Sequence, residues 1–130
     1  MICKQFRQMI DELYRKMITL VKARLALGRE RYGHGVIVDE DPTKYGVKTN
    51  DWMEMALEEL LDGLVYYAAA IIRRRRELGI LVADDQPDDN EKIINLIETC
   101  GTPSDDPKEK RLFMLLGGLK ALVVCHQCSI

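Results

Sequence analysis

The run from Trp52 to Arg76, WMEMALEELLDGLVYYAAAIIRRRR, constrains this chain more than any other stretch. It holds no proline and a single helix breaker, Gly63, so one long helix suits its propensities. Asp51 stands where an N-cap belongs, with a side-chain oxygen able to accept from a free N–H of the first turn. The arginines at 73–76 suit the negative pole of the helix dipole. At about 100° per residue, Glu54, Glu58 and Asp62 share an arc of roughly 80°, with Glu59 about 60° further round. Leu57, Leu60, Leu61, Leu64, Val65, Ala68, Ile71 and Ile72 populate the other side. The predicted helix has an apolar face adjoining a ladder of carboxylates.

Like charges one turn apart destabilise a helix by about 0.2–0.5 kcal/mol per pair. Residues 54–62 contain no base that would offset them. A hard cation with oxygen ligands resolves the repulsion, and Mg²⁺ or Mn²⁺ suits carboxylates with no His or Cys nearby. A solvated acidic face, with bases supplied by another helix, resolves it too. Spacing alone leaves both open.

Residues 32–51 read as a long polar connection with three glycines and Pro42. Val36-Ile37-Val38 is its one candidate for a short extended piece. Connections of this length between helices are uncommon and often functional. This one brings Arg31, His34, Lys44 and Lys48 close in sequence to the acids. Such cations are what a polyphosphate requires beside a carboxylate-held metal, and they are equally what a solvated loop carries. His34, between two glycines, is placed either to meet a base or phosphate or to cap the preceding helix.

The remaining chain reads as helical. From residue 4 to about 30, Phe6, Met9, Ile10, Leu13, Tyr14, Met17, Ile18, Leu20, Val21 and Leu25 mark a stripe expected to be core. Residues 91–100 make a short amphipathic helix closed by Gly101. Pro107 opens another, strongly apolar from 108 to about 124, where Gly117-Gly118 breaks the regularity and leaves the last part open to an extended form. So apolar a segment must be buried, in the core or against another subunit. The arginine run faces six acidic residues shortly downstream, so ion pairs or a solvated helix end explain it better than nucleic acid does.

With 130 residues, 47% apolar and 31% charged, one domain with a real core is expected. The net charge of −2 gives no general pull toward nucleic acid or an anionic membrane. No apolar run is long enough to span a bilayer, and MICKQFRQMIDELYRK lacks the apolar centre of a signal peptide. A cytoplasmic protein is expected, with Cys3, Cys100, Cys125 and Cys128 as free thiols. Cys125-His126-Gln127-Cys128 has zinc-knuckle spacing, but no second ligand pair completes it.

Glu58-Glu59-Leu60-Leu61-Asp62 resembles the second acidic motif, ExxD, of the all-α NTP pyrophosphohydrolases of the MazG type. RERYGHGV (29–36), YGVKTNDW (45–52) and EMALEELLD (54–62), in that order, look like the compact, phage-type members, some of which act on dATP and dGTP. The resemblance covers residues 1 to about 78; residues 79–130 read as a helical extension with oligomerisation as its candidate role. One difference stands out. The family carries an ExxE on the preceding helix, whereas here Asp11, Glu12 and Glu30 form no such pair, and Glu54 with Glu58 is the available substitute.

The resemblance implies an all-α bundle spanning 1–130 as a single domain, assembled as a homodimer or homotetramer with the site near the subunit interface. It implies Mg²⁺-dependent cleavage of a nucleoside triphosphate, dATP or dGTP preferred, to the monophosphate and pyrophosphate, with Mn²⁺ also serving. Metal would fall to Glu54, Glu58, Glu59 and Asp62, catalysis to Glu58, Glu59 and Asp62, and phosphate contacts to Arg31, His34 and Lys48. No nucleic-acid or membrane partner is implied, and a phage-encoded member would work in the host cytoplasm. The alternatives are a non-catalytic helical interaction module on the same scaffold and a dUTP- or dCTP-specific pyrophosphatase.

Overall fold

The computed structural model describes residues 2–39, 51–99 and 101–128. They form four helices and no strand, in keeping with the all-α expectation. The chain divides into two compact units, Met1–Asp41 and Pro42–Ile130.

The first unit is built on α1 (Ile2–Tyr32). Gly33 ends it. At φ +80°, in the left-handed region a side chain disfavours, its N–H turns back to the Arg29 carbonyl at 2.8 Å. The helix forms as its apolar period predicts, but the expectation that the stripe is core fails: α1 has no buried residue. Leu13 is 54% exposed and Val21 47%. Periodicity specifies which residues share a face; burial needs a second surface to lay it on. Val36, Ile37 and Val38 are exposed and form no strand.

The second unit is organised by α2 (Trp52–Glu77), which packs on both α3 (Asn90–Thr99) and α4 (Pro107–Gln127). Asp51 caps α2 as expected, its carboxylate accepting from the Met53 N–H at 2.9 Å. At the other end Gly79, φ +73°, donates to the Arg76 carbonyl. Leu64, Ala68, Ile71 and Ile72 recur at helical spacing and meet Leu96 of α3 and Leu116 and Val123 of α4. The segment beyond residue 80, read from sequence as an extension, supplies the helices on which α2 buries its apolar face.

The glycine pair does not break α4, which runs straight through Gly117 and Gly118 to Gln127. Both glycines are exposed with open space around them, so each weakens the helix by only about 1 kcal/mol relative to alanine. Burial of Leu116 and Val123 on the inner face offsets that. Gly63 has a different use: a Cβ there would stand 2.9 Å from Leu119 Cδ2, so its absence lets α2 and α4 approach closely.

Candidate functional site

The end of α2 anchors the starts of the two following helices. Arg74 holds Asp106, the N-cap of α4, with Nε–Oδ2 at 2.9 Å and Nη2–Oδ1 at 2.8 Å. Arg76 holds Asp89, just before α3, with its nearer contact at 2.7 Å. Arg75 reaches the fully buried Glu109 at 3.4 Å and the Thr102 carbonyl at 3.2 Å, and lies over the Phe113 ring. Hydrogen bonding from Arg74 draws the Asp106 carboxyl down to about 2, and the same bond raises the arginine. The Arg76 hydrogen bond lowers Asp89 in the same sense. The arginine run is thus largely a structural clamp, as the ion-pair reading expected. Sequence reasoning missed Asp106 and Glu109 as its partners, though an acid directly before Pro107 is an N-cap signal.

The predicted ligands lie on the exposed part of α2 that adjoins its buried stripe. Glu54, Glu58, Glu59 and Asp62 are all exposed. Among the described residues none of them has a hydrogen-bond or ion-pair partner, so no base from another element offsets their repulsion there. Glu54, Glu58 and Asp62 succeed one another every four residues, about 6 Å along the axis per step, and Glu59 sits three before Asp62. One ion can therefore be shared by neighbours on this ladder but not by all four. Among the described residues no group of three or more His, Cys, Asp or Glu is gathered at one point. Half-exposed Leu61 and Val65 border the acids.

The predicted phosphate-binding residues are divided. Arg31, exposed in the last turn of α1, and His34 belong to the first unit. His34 is half-buried, and its Nδ1 lies 2.7 Å from the Gly35 carbonyl. A carbonyl only accepts, so Nδ1 carries the proton. Capping of α1 falls to Gly33, not to His34. Lys48, with Lys44 and most of the YGVKTNDW block, lies outside the described residues.

Cys125 and Cys128 are exposed free thiols at the end of α4, where the Cys128 N–H donates to the Cys125 carbonyl at 3.1 Å; Cys3 is also free, and Cys100 is outside the described residues. No helix among the described residues is long and apolar enough to cross a membrane.

Compared with protein-family models, curated proteins and solved structures, the chain matches none. What it can do is read from its own residues.

Proposed function

We propose that the chain is a divalent-metal-dependent nucleoside triphosphate pyrophosphohydrolase. The observation that carries this is the ladder Glu54, Glu58, Glu59 and Asp62: four exposed carboxylates on one helix, unpartnered among the described residues. The all-oxygen donor set fits Mg²⁺, with Mn²⁺ acceptable to the same ligands. Held by neighbouring members of Glu54, Glu58, Glu59 and Asp62, such cations would neutralise a triphosphate and make a bound water more acidic.

The chain's own residues then have distinct tasks. Glu58 and Asp62, one turn apart, hold the cation side of the site. Glu59, displaced round the helix from the others, orients the attacking water and takes its proton. Water adds to the α-phosphorus, the bond to the bridging oxygen of the β-phosphate breaks, and monophosphate and pyrophosphate leave without a covalent enzyme intermediate. Arg31, His34 and Lys48 are assigned to the phosphates. A purine deoxynucleotide, dATP or dGTP, is the proposed substrate, on the likeness of the three sequence blocks to the MazG type. A homodimer or homotetramer is the proposed assembly, supported by the uncovered stripe of α1.

Pyrophosphate release is to be measured over a panel of dNTPs and NTPs with Mg²⁺, with Mn²⁺ and with EDTA. Turnover of a purine deoxynucleotide only in the presence of metal is expected. A folded protein that stays silent across the panel would instead be a non-catalytic helical interaction module.

A further inference from the structure

The turn after α1 folds back on the helix it leaves. Gly35 and Val36 cover a cavity of about 420 Å³ whose other walls are Lys22, Leu25, Ala26 and Arg29. Lys22 and Arg29 are seven residues apart, so they lie within roughly 20° of one another on the helix surface, about 10 Å apart along its axis. Both cations line the pocket, and among the described residues neither side chain has an ion-pair or hydrogen-bond partner. Lys22 and Arg29 are themselves exposed, and the backbone of the turn returns beside them.

The turn is ordered by three local contacts. Gly33 closes the helix on the Arg29 carbonyl, His34 Nδ1 holds the Gly35 carbonyl, and Gly35 rests on the Arg29 guanidinium. A Cβ at position 35 would stand 3.4 Å from Nη2 and 3.7 Å from Nε, in ordinary van der Waals contact, so the turn lies beside the guanidinium and a larger, branched side chain there would crowd it. The free carbonyls at the C-terminal end of α1 attract cations, which favours Arg29 here and leaves the binding of any anion to the side chains.

Two cations without partners among the described residues, two turns apart on one helix face and lining one pocket of about 420 Å³, suit an anion with charge spread along a chain. We propose that Lys22 and Arg29 form a polyphosphate-binding pocket under the Gly35 turn. That its ligand is the phosphate chain of the nucleotide rests on the hydrolase reading above; affinity for a polyphosphate does not.

The test is calorimetric titration of the full chain with inorganic tripolyphosphate in EDTA, with sulfate at equal ionic strength as reference. Tripolyphosphate binds more tightly than sulfate, and Lys22→Gln or Arg29→Gln each weakens it about tenfold, as loss of a charge-assisted contact does. Gly35→Val weakens it by displacing the guanidinium, while Lys4→Gln, far along the same helix, leaves it unchanged. Circular dichroism verifies that α1 persists in each variant. Equal affinity in all the variants, or tripolyphosphate no tighter than sulfate, overturns the pocket. The two readings fail separately. Tripolyphosphate binding that depends on Lys22 and Arg29, without dNTP turnover, keeps the pocket and removes the hydrolase. Turnover whose KM ignores both substitutions leaves the hydrolase but removes the nucleotide from the pocket.

Discussion

Arg74 meets Asp106 through two parallel hydrogen bonds, 2.9 and 2.8 Å, across thirty-two residues of chain. The same aspartate caps α4, accepting from the Glu109 N–H at 3.0 Å, so one carboxylate joins the end of one helix to the start of another. Ser104 completes the junction: its hydroxyl accepts from the Asp106 N–H, and its own N–H donates to Glu109 at 2.8 Å.

Acid should therefore loosen this junction. The Asp106 carboxyl sits at about 2 in the folded chain against an ordinary 3.8, chiefly through the Arg74 hydrogen bond. A depressed carboxylate contributes stability that is fully present above its unfolded value and is lost as pH falls through the folded one. Asp106→Asn is expected to lower the urea midpoint above about pH 4 and to converge on the wild type toward pH 2. Some acid dependence should persist in the variant, because Asp84 and Asp89 are lowered too, by hydrogen bonds from Lys92 and Arg76. Urea titrations at stepped pH check both points.

The contact between α2 and α4 makes two opposite demands on size. Ile71 is fully buried, and truncating it to alanine should cost about 2–5 kcal/mol. At Gly63 a methyl group meets only the end of a leucine side chain, which can turn aside. Gly63→Ala should stay within about 1 kcal/mol of wild type, since improved helix propensity opposes the crowding. Gly63→Leu has no such room and should destabilise by roughly 1–3 kcal/mol. Equilibrium unfolding of the three variants orders them.

Removing a charge from the carboxylate ladder should separate folding from activity. Glu58→Gln and Asp62→Asn each relieve like-charge repulsion on an exposed face, so the metal-free protein is expected to be no less stable than wild type. Mg²⁺ should raise the wild-type Tm, with a smaller rise in either variant. Both should lose pyrophosphate release. Thermal scans with and without Mg²⁺, paired with the release assay, read out all of this. A variant that hydrolyses dNTPs at the wild-type rate would remove that residue from the site.

The uncovered stripe of α1 predicts assembly. Leu13 and Met17, one turn apart, are 54% and 45% exposed, and a soluble chain rarely leaves so long an apolar face in water. Sedimentation is expected to give a mass above the 14.9 kDa of one chain, and Leu13→Glu or Met17→Glu to shift it down. Wild-type protein sedimenting as a monomer at all concentrations would exclude this role for the stripe.

Helix existence and polarity were legible in the residues themselves: Asp51 before an uninterrupted run, Pro107 after an acid and the recurring leucines of α2 encode local structure within a few turns. The carboxylate ladder was legible for the same reason, since spacing along one helix fixes which side chains share a face. Burial and long-range pairing were not. Nothing local tells Gly117-Gly118 that its helix gains enough from the inner face to continue, or marks Glu109 as buried while Glu58 stays in water.

The sequence by itself determined four helical segments, the Asp51 cap and the acidic face of α2. Only tertiary structure decided that Arg74, Arg75 and Arg76 clamp Asp106, Glu109 and Asp89, that α3 and α4 cover α2, and that Gly35 folds over Arg29. The physical reason is range. Propensity and periodicity act over a turn or two, whereas these contacts depend on which surfaces the folded chain brings together, and that depends on the whole packed arrangement.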